Sequence, residues 1–151
     1  MMPNTPKEVK EYFKQIRKEQ MEITHLVEMI RSEELMLLPK AIQYDKDKVQ
    51  TSPEDILSEK VAEIAEMDME WKKAVVNLKY RRAQAEAMLK QLVSSDEREV
   101  MRWYYMSMNN KHLMTWEEVA SKMAYNKRWI LKIHGNAIMH LSEINKTPKD
   151  T

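Results

Sequence analysis

Cysteine is absent from the 151 residues, so disulfides and thiolate metal sites are excluded. Glycine occurs once and phenylalanine once. With one glycine the chain has little means of making the positive-φ turns that tight hairpins favour. The same scarcity rules out a glycine-rich phosphate loop. No apolar run approaches the roughly 20 residues that a membrane helix needs. The opening stretch, "MMPNTPKEVKEYFK", lacks the apolar core of a signal peptide. These absences predict a soluble, cytoplasmic protein with no membrane partner.

What is present points to helix. Methionine occurs fourteen times and charged residues make up 32% of the chain. Ala, Leu, Glu, Lys, Met and Gln dominate, and these residues keep side-chain freedom in a helix. The composition predicts an all-α fold without strands. Net charge is +1, so any basic site must be local.

Two long segments carry a heptad pattern. In the first, Val9, Phe13, Ile16, Gln20, Ile23, Val27, Ile30, Glu34 and Leu37 follow one another in alternating steps of four and three, the seam of a coiled coil. Thr5 can cap this helix, with Pro6 at its first position, and Pro39 ends it. The second runs from a Ser52 cap to about Leu92. Its seam is Leu57, Val61, Ile64, Asp68, Trp71, Val75, Leu78, Arg82, Ala85, Leu89 and Leu92. The charged stretch 39–53 reads as a loop, with Ile42, Tyr44 and Val49 packing back onto the helices. Together these features predict a long antiparallel helical hairpin over residues 1–93, which would act in oligomerisation or partner binding. The polar seam residues Gln20, Asp68 and Arg82 fit a role in register or oligomer choice.

A three-helix module is expected over residues 94–145, with a frayed tail over 146–151. Ser94 and Glu97 fit a capping box, and so do Thr115 and Glu118. "NNKHLM" reads as a turn, "WEEVASKM" as a short helix, "AYN" as a break, and Asn126 as the cap of the last helix. A short helix, a brief turn and a second helix make a helix-turn-helix. Val119, Ala120, Met123, Ile130, Ile133, Ala137 and Leu141 recur at helical steps and should face the core, with Ala120 small where the helices cross. The other face of the last helix presents Asn126, Lys127, Arg128, Leu131 and Lys132, with His134 and Asn136 beyond. In such units the second helix enters the major groove of double-stranded DNA. There Lys and Arg bond guanine and Asn bonds adenine. From Lys122 to Lys146 five basic residues stand against the single acid Glu143, a local charge of +4.

The segment "SSDEREVMRWYY…TWEEVASKMAYNKRWILKIHGNAIMHL" resembles region 4 of sigma-seventy-type factors and the related C-terminal domains of small phage proteins. The matching pieces are "DEREVM", "TWEEVA", "AYN" and "KRWILKIHGNAIMHL". The upstream helices, with "IQYDKDKVQTSP" between them, are similar to a phage and prophage family of unknown function, grouped with late-gene regulators of the ArpU and RinA type. The resemblance spans nearly the whole chain. It implies a DNA-binding transcription regulator in a bacterial host cell, with RNA polymerase as a possible second partner. Ala124 stands where the pattern has glycine. "MSMNNKHLM" is longer than the usual connection, and Trp129 and Leu131 occupy positions that are often polar.

Nothing in the chain suggests an enzyme, and no cofactor is expected. His25, His112, His134 and His140 are scattered, and none falls in an H-E-x-x-H spacing. Glu33/Glu34 and Glu117/Glu118 are adjacent and so point apart on a helix. The alternative to a regulator is a helical interaction or assembly module, such as a small-terminase-like packaging subunit. In either case the heptad helices predict a homo-oligomer.

Overall fold

A computed structural model of the chain describes residues 2–37 and 53–146. The expected loop over 39–53, except for its last residue, Pro53, lies outside the described residues, as do the Ser52 cap and the tail beyond Lys146. Among the described residues there are five helices: α1 (Pro6–Leu35), α2 (Pro53–Leu89), α3 (Ser95–Met106), α4 (Trp116–Met123) and α5 (Lys127–Lys146). The class is all-α, with one exception to the strand-free expectation. Where only a turn was expected, β1 (Met108–Asn109) pairs antiparallel with β2 (His112–Leu113). Asn110 closes the hairpin at φ 57°, a left-handed conformation that Asn tolerates better than most residues. No glycine is needed.

The described residues form two compact units that cut across the expected boundary at residue 93: residues 2–21 with 78–146, and residues 22–37 with 53–77. The reason lies in packing. The start of α1 and the end of α2 bury their seams in the same unit as the C-terminal helices. Val9, Phe13 and Ile16 are fully buried, as are Ala85 and Leu89, and the Phe13 ring lies 5.5 Å from that of Tyr105 in α3. In this unit Glu19 pairs with Arg81 at 2.8 Å and Tyr12 meets Gln84 at 3.5 Å. Numbers rise on one helix as they fall on the other, so the two segments run antiparallel.

In the second unit Lys60 pairs with Glu33 at 2.6 Å. The seam is thinner here. Ile30 is buried, but Leu57 and Val61 are 40% and 52% exposed. Trp71 is half-buried, and its indole N–H has no hydrogen-bond partner among the described residues. Asp68 pairs along its own helix with Lys72 at 2.9 Å.

The other polar seam residues have a different task from the register role expected of them. The last carbonyls of α3 have no partners within the helix. Arg17 donates to the Tyr104 carbonyl at 2.5 Å, Gln20 to that of Tyr105 at 2.6 Å, and Arg82 to that of Met106 at 3.0 Å. Two of the three donors are cations at the negative end of a helix dipole, where positive charge is favoured. Gln20 is only 5% exposed, so its bond is made away from water.

Gln20→Leu should therefore destabilise the protein even though it extends the apolar seam. It deprives the buried Tyr105 carbonyl of its donor, at a cost of about 1–3 kcal/mol. Urea unfolding measures this. An unchanged midpoint would show that the Tyr105 carbonyl does not depend on Gln20.

Candidate nucleic-acid interface

Each helix of the C-terminal module begins at a side-chain cap. The Ser94 hydroxyl accepts the Glu97 N–H at 3.3 Å. The return bond expected of a capping box is replaced, since the Glu97 carboxylate meets His140 Nδ1 at 2.5 Å. At Thr115 the reciprocal box is complete, with bonds of 3.1 and 3.2 Å between Thr115 and Glu118. Glu118 also accepts from Asn109 and lies 3.2 Å from His112 Nε2. These donors, Asn109 foremost, hold its carboxyl down to about 2. Asn126 Oδ1 accepts the Trp129 N–H at 2.8 Å and starts α5.

Between α4 and α5 the chain turns at Ala124, which lies at φ 59°, ψ 37°. The Tyr125 N–H reaches the Ala120 carbonyl at 3.0 Å and the Ala124 N–H that of Ser121 at 3.3 Å. This is the Schellman pattern of a helix C-terminus, made here without glycine. The Tyr125 hydroxyl donates to Asp96 at 2.8 Å and fixes the turn against the start of α3. Val100, Met114, Val119, Ala120, Ile130 and Ile133 form the core between these helices. The expected core residues Ala137 and Leu141 are also fully buried, while Met123 is only partly so.

With that face packed, α5 exposes Lys127, Arg128, Leu131, Lys132 and Asn136 in order, with Asn126 exposed at its cap. Trp129 and Leu131, at positions often polar in the resembled family, are 45% and 41% exposed and belong to this surface rather than to the core. Lys132 stands over the Trp129 ring at 5.3 Å. Lys127 pairs with Glu117 at 2.7 Å, an exposed contact of the kind worth little in water. The only glycine, Gly135, lies exposed on the same helix, and a Cβ added there would meet nothing within 4 Å. Packing within the described chain therefore does not require it.

One expected reading residue is elsewhere. His134 is buried, and its Nε2 shares a hydrogen bond of 2.7 Å with Tyr105 Oη. Its ring sits 4.7 Å from that of Trp116. Trp116 stacks on Tyr104 at 3.6 Å, and the Arg17 guanidinium lies over the Tyr104 ring at 3.8 Å. Guanidinium and indole must take opposite faces of the phenol. Burial, aided by Lys10 and Lys14, pushes the His134 imidazole down to about 4. Burial likewise raises the Tyr105 phenol. Both stay neutral and serve packing. Its spacing from Ile130, Ala137 and Leu141 already places His134 on the buried face of α5; its polar side chain suggested the outer face, and the aromatic cluster from α3 and α4 that covers it is a tertiary feature.

Sequence reasoning also missed a group. Lys10, Lys14 and Lys18 of α1 line an open cleft with Leu131 and His134 of α5, Tyr104 of α3 and Trp116 of α4. Their four-residue spacing shows in the sequence that they share a side of one helix. It does not show that this side meets α5.

Ala124→Gly should stabilise the fold by about 1 kcal/mol by relieving the left-handed strain on a residue with a Cβ; thermal melting should move upward. The His134 imidazole titrates near 6.5 when unfolded and near 4 when folded, so between these values the unfolded chain binds the extra proton. Stability is fully present above about pH 6.5 and falls as pH drops towards 4, by about 3 kcal/mol. His134→Gln keeps a polar partner for Tyr105 and should flatten this dependence. Parallel pH profiles for wild type and variant would refute the assignment.

Among the described residues no group of three His, Asp or Glu side chains could hold a metal ion, and no helix is long and apolar enough to cross a membrane. No family model, curated protein or solved structure matches the chain.

Proposed function

We propose that the C-terminal helices form a DNA-binding helix-turn-helix that lays α5 in the major groove, as part of a phage or prophage transcription regulator. One observation carries the DNA-binding part. A helix anchored along one face by Ile130, Ile133, Ala137 and Leu141 turns Arg128 and Lys132, one turn apart, outwards. Arg128 has no bonded partner among the described residues. Asn136 and Leu131 extend the surface, the latter suited to a thymine methyl. Lys127 lies at the positive end of the helix, where its weak pair with Glu117 can give way to a phosphate. Gly135 adds a second support. A glycine inside a helix costs about 1 kcal/mol, and here no internal contact accounts for it, whereas the close approach of another surface would. The transcription role, and contact with RNA polymerase, rest on the resemblance to sigma region 4.

A second reading is an assembly module that acts by self-association. It draws on the exposed Leu57, Val61, Met69 and Val76 of α2, apolar side chains that a second copy could cover.

Duplex binding across a salt series separates the two. Wild type should bind with a steep salt slope. Arg128→Glu should lose more than the roughly 1–3 kcal/mol of a single base contact, because it adds repulsion, while the exposed site leaves folding intact. If wild type binds no duplex at low salt, or Arg128→Glu binds as wild type does, α5 is not a reading head and assembly becomes the better account.

A further inference from the structure

The interface extends beyond the helix-turn-helix. The geometry points to the cleft between α1 and α5 as a seat for the sugar-phosphate backbone of DNA, with Lys10 and Lys14 as its phosphate contacts. The inference rests on the DNA-binding reading above and enlarges its site.

The cleft encloses about 760 Å³ and is open to solvent along one side. Lys10 and Lys14 line it from α1, and Leu131 lines it from α5. Leu131 also belongs to the exposed surface of α5, between Arg128 and Lys132. The α1 lysines thus continue the cationic surface of α5 sideways. Their position is held by the buried Val9, Phe13 and Ile16 on the adjoining face of the helix. At about 1.5 Å per residue, Lys10 and Lys14 stand about 6 Å apart along α1, so both can reach one strand. Among the described residues neither has a carboxylate partner. Two like charges on one turn repel each other, and an external polyanion would remove that repulsion.

An acidic peptide could satisfy the same charges. DNA is favoured because the lysines border the helix that carries Arg128 and Lys132, so one ligand covers both sets. A backbone contact fixes register without reading sequence, and lysine, a flexible point charge, suits that task.

The experiment compares full-length wild type with Lys10→Gln/Lys14→Gln across salt on two duplexes, a specific one selected from a random pool for tightest wild-type binding and a random-sequence one, with a poly-glutamate peptide as a second probe. The variant should weaken binding to both duplexes by the same factor. Its salt slope should drop by about 1.8, the equivalent of two phosphate contacts. The ratio of specific to random affinity should not change, and the thermal melt should match wild type. A variant with the wild-type slope, beside an Arg128→Glu protein that has lost binding, would overturn the cleft assignment and leave the DNA-binding reading standing. Loss of poly-glutamate binding with full retention of duplex binding would also overturn it, in favour of an acidic peptide. A wild type that binds no duplex would sink both proposals together.

Discussion

The end of α3 is the constraint on which the larger unit depends. Its three last carbonyls are bonded by Arg17 and Gln20 from α1 and by Arg82 from α2. Each bond satisfies a group that would otherwise be left without a partner at a crowded helix end. Together they hold α3 between the segments of the two long helices that share its unit. The module that begins at Ser94 is therefore built on the start of α1 and the end of α2. The Arg17, Tyr104 and Trp116 stack carries that support forward into α4, and His134, 4.7 Å from Trp116, carries it into α5.

Much of this was legible in the residues. The all-α class followed from the scarcity of glycine and the supply of helix formers. The caps at Thr5, Ser94, Thr115 and Asn126 all accept the expected backbone N–H. The turn at Ala124 was placed correctly although it lacks the usual glycine, because the capping signals on either side are stronger than one missing residue. The expected core of the last two helices is buried, save for the partly exposed Met123. What failed was long-range. Gln20 and Arg82 interrupt a seam, and periodicity can say only that they interrupt it. That they reach carbonyls 85 and 24 residues away depends on which helix end the fold brings there. Glu97 and His140 show the same limit. The capping pattern suggested a local bond for Glu97, and a partner 43 residues away took it.

The candidate site divides along the same line. Arg128, Leu131, Lys132 and Asn136 are exposed as expected, because helical spacing from the buried Ile130 and Ile133 fixes which positions face outwards. His134 was set on the outer face because of its polar side chain, against its spacing: it stands four residues after Ile130, three before Ala137 and seven before Leu141, which is a position on the buried face. There the rings of Tyr105 and Trp116 pack against it.

The lysines of α1 were passed over for a different physical reason. A charge count along the chain sums Lys7, Lys10 and Lys14 with Glu8 and Glu11 and finds little net charge. A helix sorts those signs by angle. Glu8 and Glu11 lie with Lys7 and Tyr12 around a separate surface hollow, while Lys10 and Lys14 turn to the cleft beside α5. An α-helix with its side chains is about 10–12 Å across, and the Debye length in physiological salt is about 8 Å. A phosphate in the cleft would lie beside Lys10 and Lys14, while Glu8 and Glu11, which border the other hollow, would act on it from farther away and through more screening. A chain of net charge +1 can in this way line one cleft with cations alone among its charged residues, because the electrostatics that a ligand meets are set by the angular order of charges around each helix and not by their sum along it.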